Sequence, residues 1–177
     1  MTIDFCCFCF SIEQCQAKAL LASNLHYLAE QCTEEIQALI AKNFIDLITQ
    51  HLGTIGGGNG NEKRAIENVH VECEERSIIL RRRDIVDREQ SSKVPLTLKF
   101  ATKVPLPSNV SVVDLNQTTQ QMTGDILAFL NKTDLTLNIT EVVLEYDASK
   151  PPVVHTVGLV CDKGLVLRGT KCGKTWS

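Results

Sequence analysis

Leu21, Leu25, Leu28, Cys32, Ile36 and Leu39 recur at spacings of three and four, an apolar stripe that predicts helix over residues 11–52. Ser11 with Gln14 suits a capping box, and Glu13 favours the positive end of the helix dipole. Ile40, Phe44, Leu47 and Ile48 broaden the stripe, and Gly53 suits the position just past a helix end. One unbroken helix would be about 60 Å long at ~1.5 Å per residue, more than a small domain's width. A break near residues 31–33, giving a helical hairpin, is the open alternative.

Residues 53–61, GTIGGGNGN, hold five glycines and no charge, so residues 53–64 are expected to be a linker. A phosphate-cradling loop would need a preceding strand, a following helix and Lys with Ser or Thr after the last glycine; none of these is predicted here. From Ala65 the period turns to two. Val69, Val71 and Cys73 alternate with His70, Glu72 and Glu74, predicting a half-buried strand. Ile78–Leu80 predicts another, running into Arg81–Arg83, with polar loop over residues 84–93. Val94, Leu96, Leu98 and Phe100 form the cleanest alternation, although Pro95 places its start at an edge or outside the ladder. Val110–Val113 suggests a short further strand.

Leu115, Met122, Ile126, Phe129 and Leu130 share a helical face, predicting a helix near 115–130 weakened by Gly124. Leu135, Leu137 and Ile139, then Val142, Leu144 and Tyr146, alternate in two phases. After Pro151-Pro152, residues 153–161 and 165–171 read as a hairpin closed by Asp162-Lys163-Gly164. That register puts Val157, Leu159, Cys161, Leu165 and Leu167 on the core face, with Val154, Thr156, Arg168 and Thr170 outside. It also separates Cys161 from Cys172 by on the order of 20 Å at ~3.4 Å per residue, too far for a disulfide. Such closely spaced strands call for antiparallel pairing. The expected class is α+β: an N-terminal helix or helical hairpin (1–52), the linker (53–64), and a mostly antiparallel sheet domain (65–177) with one helix inserted.

Composition narrows the function classes. With 44% apolar and 22% charged residues and a net charge of −3, the chain is not wholly disordered. No apolar run approaches the ~18 residues of a membrane span, and the acidic balance gives no electrostatic reason to expect nucleic acid. Eight cysteines raise the question of compartment. The first residues, MTIDFCCFCFSIEQ, lack the basic start and longer apolar middle of an export signal, so reduced thiols in the cytoplasm are expected. Asn109, Asn116, Asn131 and Asn138 begin glycosylation sequons that this expectation leaves as turn and strand polarity. An export signal lost upstream of Met1 would reverse both.

Candidate chemistry is sparse. Cys6, Cys7, Cys9 and Cys15 offer four thiols, but adjacent cysteines among Phe5, Phe8 and Phe10 fit small apolar side chains better than a zinc framework. An alternative two-residue turn would set Cys172 opposite His155, a thiol beside an imidazole. His70 with Glu72, and His26 with Glu30 on one helix face, are conceivable acid/base pairs and also ordinary solvated neighbours. The run Arg81–Arg83 is balanced by acids, eight of each sign over residues 62–93. Lys163, Arg168, Lys171 and Lys174 give the C-terminal stretch a basic skew. No catalytic residue, cofactor or metal ligand is therefore assigned. The expected function is a non-enzymatic binding or assembly module, meeting a protein partner or a second copy through the N-terminal helix. A thiol-based enzyme or redox protein using Cys73, Cys161 or Cys172, and a carrier of a small apolar ligand, are the alternatives.

Overall fold

The computed structural model describes residues 16–52, 66–74, 93–137, 139 and 142–174. Along the chain lie β1 (Lys18–Ala29), α1 (Glu34–Leu52), β2 (Ile66–Cys73), β3 (Val94–Pro105), α2 (Leu115–Lys132), β4 (Leu144–Tyr146), β5 (Val153–Val160), β6 (Leu165–Arg168) and β7 (Lys171–Lys174). The five-stranded sheet runs β2-β3-β1, with β4 and β5 both paired to the far side of β1, and every pairing is antiparallel. β6 and β7 form a separate two-stranded ribbon. The chain is an α+β protein, as its pattern predicts.

The largest correction concerns the N-terminal region. Residues 18–29 are not helix but the central strand of the sheet, and among the described residues of this region only 34–52 are helical. Ala19, Leu21, Ser23, Leu25, Tyr27 and Ala29 alternate inward, while Leu20, Ala22, Asn24, His26 and Leu28 are half-buried on the other face. A strand wanted on both faces carries no clean polar alternation, so its leucines also satisfy a spacing of three and four. The break expected near 31–33 is real, and it separates a strand from a helix. Thr33 opens α1, its Oγ1 accepting from Ile36 N at 3.3 Å, with Glu34 and Glu35 in the first turn beside the positive dipole end.

Ile40, Phe44 and Ile48 of α1 and Ile126 and Leu130 of α2 are buried in one core with the inward residues of β1 and β3. Phe44 meets Phe100 with ring centroids 4.8 Å apart. Fully buried leucines such as Leu21 and Leu25 each stabilise the fold by about 1.5–3 kcal/mol. The inward Ser23 Oγ and Thr102 Oγ1 are buried without a hydrogen-bond partner among the described residues.

β2, β3 and α2 form where the pattern places them. Pro95 is the second residue of β3 and contributes its carbonyl, which accepts from Glu74 N at 2.9 Å just past the end of β2. Residues 110–113 form no strand, and among the described residues of the 135–146 segment only Leu144–Tyr146 is one. The 53–64 linker, the 78–80 strand and Arg81–Arg83 lie outside the described residues.

The C-terminal hairpin is also corrected. Gly164 does take a positive φ (87°) in a turn closed by Leu165 N donating to Asp162 O. The two strands it joins do not pair, however: β5 joins β1 and β6 joins β7. A second turn at Gly169 (φ 63°) brings β7 back. Val157 and Leu167 are consequently exposed, while Thr170 is buried. Cys172 returns beside Cys161, Cα atoms 5.7 Å apart, and the two form a disulfide.

Candidate functional site

β5 has the sequence VVHTVGLV, rich in β-branched residues and free of Lys, Arg, Asp and Glu. One margin pairs with β1 from Lys18↔Val160 to Asn24↔Val153, with a bulge at Val157, which lies between the pairs Leu20↔Gly158 and Leu21↔Thr156. The other margin takes no strand among the described residues. α2 lies over the inward face, and Thr123 Oγ1 stands 3.2 Å from Thr156 Oγ1. Val153 is 49% and Val157 58% exposed, so the strand presents aliphatic surface along an open margin.

The β6–β7 ribbon is held against the lower end of this strand. Cys161–Cys172 is one tether. Ala17 N donates to Thr170 O at 3.3 Å, Thr170 Oγ1 donates to Val110 O at 3.1 Å, and Lys18 Nζ pairs with Asp162 at 2.8 Å. At the upper end, β4 continues the same margin. Tyr27 donates from its hydroxyl to Leu135 O at 3.0 Å and packs edge-on against Tyr146. Burial first, and then the neighbouring Tyr146 and Asp134, push the Tyr27 phenol well above its ordinary range.

The opposite margin, β2, is built differently. Asn68 takes φ 54° at a bulge between the pairs Glu67↔Ala101 and His70↔Lys99. Asparagine is among the few side chains that adopt this left-handed conformation readily. Glu67 accepts from Lys103 Nζ and Glu72 from Lys99 Nζ, both at 2.6 Å, on the face away from the helices. The bond from Lys99 holds the Glu72 carboxyl below its usual range. Cys73 ends β2 in a disulfide with Cys32, Cα atoms 6.3 Å apart. Gln37 Nε2 donates to Cys73 Sγ at 3.1 Å, so the entry of α1 is stapled and hydrogen-bonded to this margin.

The residues weighed for chemistry fall apart in space or change character. His26 stands on β1, not on a helix, with Nδ1 3.1 Å from Thr97 Oγ1, and Glu30 is exposed beyond the strand. His70 and Glu72 are neighbours at 3.8 Å, both open to solvent. His155 pairs across from Ala22, whereas Cys172 is bound to Cys161, so no thiol–imidazole pair forms. Cys73, Cys161 and Cys172 are all in disulfides, which leaves none of them as a thiolate nucleophile. Cys6, Cys7, Cys9 and Cys15 lie outside the described residues. Among the described residues no group of three or more His, Cys, Asp or Glu is placed to hold a metal ion, and no helix is long and apolar enough to cross a membrane.

What the sequence reading missed is the open β5 margin and both bridges. The uncharged run after Pro151-Pro152 was a signal for the first. The bridges depend on returns of the chain that periodicity does not encode. No protein-family model matches the chain, and no curated protein or solved structure is significantly similar to it.

Proposed function

We propose that this chain is a non-enzymatic binding or assembly module whose docking element is the outer margin of β5. The observation that carries this reading is an uncharged edge strand whose outer margin takes no partner among the described residues and which carries two half-exposed valines. A row of unpaired backbone donors and acceptors is a template for an added strand, and natural edges are ordinarily blunted by charge. The partner that fits is an extended, uncharged polypeptide segment with aliphatic residues at alternate positions, adding by β-augmentation. The N-terminal helix fits this role less well, because the Ile40, Phe44 and Ile48 stripe of α1 is buried against the sheet.

Panning a displayed library of extended peptides on the folded chain, followed by amide exchange of the complex, tests the proposal. Aliphatic, uncharged binders that slow exchange along β5 are expected, with binding lost in Val153→Lys/Val157→Lys and kept in Glu72→Gln. Binders whose protection maps to α1 or β2, or binding unaffected by the double lysine variant, would overturn it.

A further inference from the structure

The described residues contain two disulfides, Cys32–Cys73 and Cys161–Cys172, and three sequons whose asparagines are all exposed, Asn109, Asn116 and Asn131. We infer that this chain matures in an oxidising compartment and that Asn109, Asn116 and Asn131 are N-glycan acceptor sites. The inference is independent of the β5 margin.

Disulfides persist where thiols are not kept reduced, and the same route exposes a nascent chain to the glycosylation machinery. Each bridge forms when two thiols pass two electrons to the disulfide of an exchange partner, which takes up their two protons as its own thiols. Both bridges close contacts that the fold needs: one ties α1 to β2, the other ties β7 to the exit of β5. The expectation of reduced cytoplasmic thiols therefore loses its chemical support at these four cysteines.

The sequons are Asn109-Val110-Ser111, Asn116-Gln117-Thr118 and Asn131-Lys132-Thr133, each with the hydroxyl residue two positions on and no proline between. Asn109 sits in the turn that follows β3, where Val110 N donates to Pro107 O. Asn116 lies in the first turn of α2 and Asn131 in its last. They are about 22 Å apart at ~1.5 Å per residue, and both are exposed while Thr119, Ile126 and Leu130 of the same helix are buried. A glycan at any of the three projects into solvent and displaces no core contact. In the transfer, the asparagine amide nitrogen attacks the anomeric carbon of a lipid-linked oligosaccharide. A carbon–nitrogen bond forms, the bond from that carbon to the pyrophosphate oxygen breaks, and the lipid pyrophosphate leaves as the amide gives up one proton to a base. The Asn138 sequon lies outside the described residues.

The test directs the full chain, carrying Asn138→Gln and a fused export signal and tag with one control sequon, into the secretory route of eukaryotic cells. Peptide N-glycanase should remove three mobility steps beyond the control, and Asn109→Gln, Asn116→Gln and Asn131→Gln should each abolish one. Ser111→Ala, Thr118→Ala and Thr133→Ala, which keep the asparagines, should do the same. Cys32, Cys73, Cys161 and Cys172 of the unreduced product should resist a thiol-alkylating reagent. The proposal is overturned if the control sequon is occupied and these three are not. It is equally overturned if chain made in a reducing cytosol keeps the four thiols free and melts at the same temperature as the secreted form.

Discussion

β2 and β5 flank the same antiparallel core, yet β2 carries Glu67, His70 and Glu72 on eight residues and β5 carries no carboxylate or ammonium at all. The ion pairs of β2 with Lys99 and Lys103 are solvent-screened surface pairs, so their role in folding is small. Their larger effect is on what can approach. Another strand laid beside β2 would meet charge and the kink at Asn68, whereas one laid beside β5 would meet valines. A sheet can thus close one margin and leave the other usable without changing its core. The staples differ as well. Cys32–Cys73 spans 41 residues and ties a helix to the closed margin, while Cys161–Cys172 spans 11 and ties a ribbon to the open one.

The largest effects should come from these staples. In the chain-entropy account, removing Cys32–Cys73 as a double serine variant costs about 4 kcal/mol and removing Cys161–Cys172 about 3 kcal/mol. Urea unfolding monitored by circular dichroism measures both; a costlier loss at Cys161–Cys172 would mean that the ribbon, not the helix entry, anchors the sheet. Next come the inward and outward valines of the two margins. Val71→Ala, at a buried position of β2, should destabilise by about 2 kcal/mol, while Val157→Ala should stay within about 0.5 kcal/mol. Equal losses would show that β5 is as tightly covered as β2.

The bulge of β2 is a third point of attack. Asn68→Val should cost about 1–2 kcal/mol because a β-branched residue resists φ 54°, and Asn68→Gly should be close to neutral by the same measurement. Two further effects depend on pH. Tyr27 keeps its proton in the folded state well above a tyrosine's usual value. Its contribution is therefore complete below pH ~10 and is lost progressively as pH rises beyond it. Tyr27→Phe should lower stability at neutral pH by about 1 kcal/mol, through the lost bond to Leu135 O, and flatten the alkaline decline. Glu72 behaves in the opposite sense: its depressed carboxyl supports the fold above the unfolded value near ~4.3, and that support disappears as pH falls through the folded value. An NMR titration of Lys99→Gln should return Glu72 upward; an unchanged midpoint would remove Lys99 as the cause.

How much of this was legible depends on the range of the interactions. Alternation at Val94–Phe100 and Val69–Cys73 and the helical face from Leu115 to Leu130 arise from local repeats, and each forms where it is predicted. Thr33-Glu34-Glu35 carried a readable start signal for α1, which the leucine spacing upstream of it obscured. For the candidate site, the lack of charge between Val153 and Val160 was visible, but its place at a margin was not.

Class, composition, the tight turn at Gly164 and the sequons belong to the sequence alone, because each is set by residues within a few positions of one another. Tertiary structure decided the rest. Residues 18–29 became a strand because β3 and β5 flank them, and pairing on both sides outweighs a marginal helical periodicity. Cys161 met Cys172 because the ribbon turned back at Gly169, and Cys32 met Cys73 because α1 enters beside the end of β2. Those contacts join residues distant in the chain or separated by a turn, and their stability comes from the assembled sheet. No window of local pattern contains them.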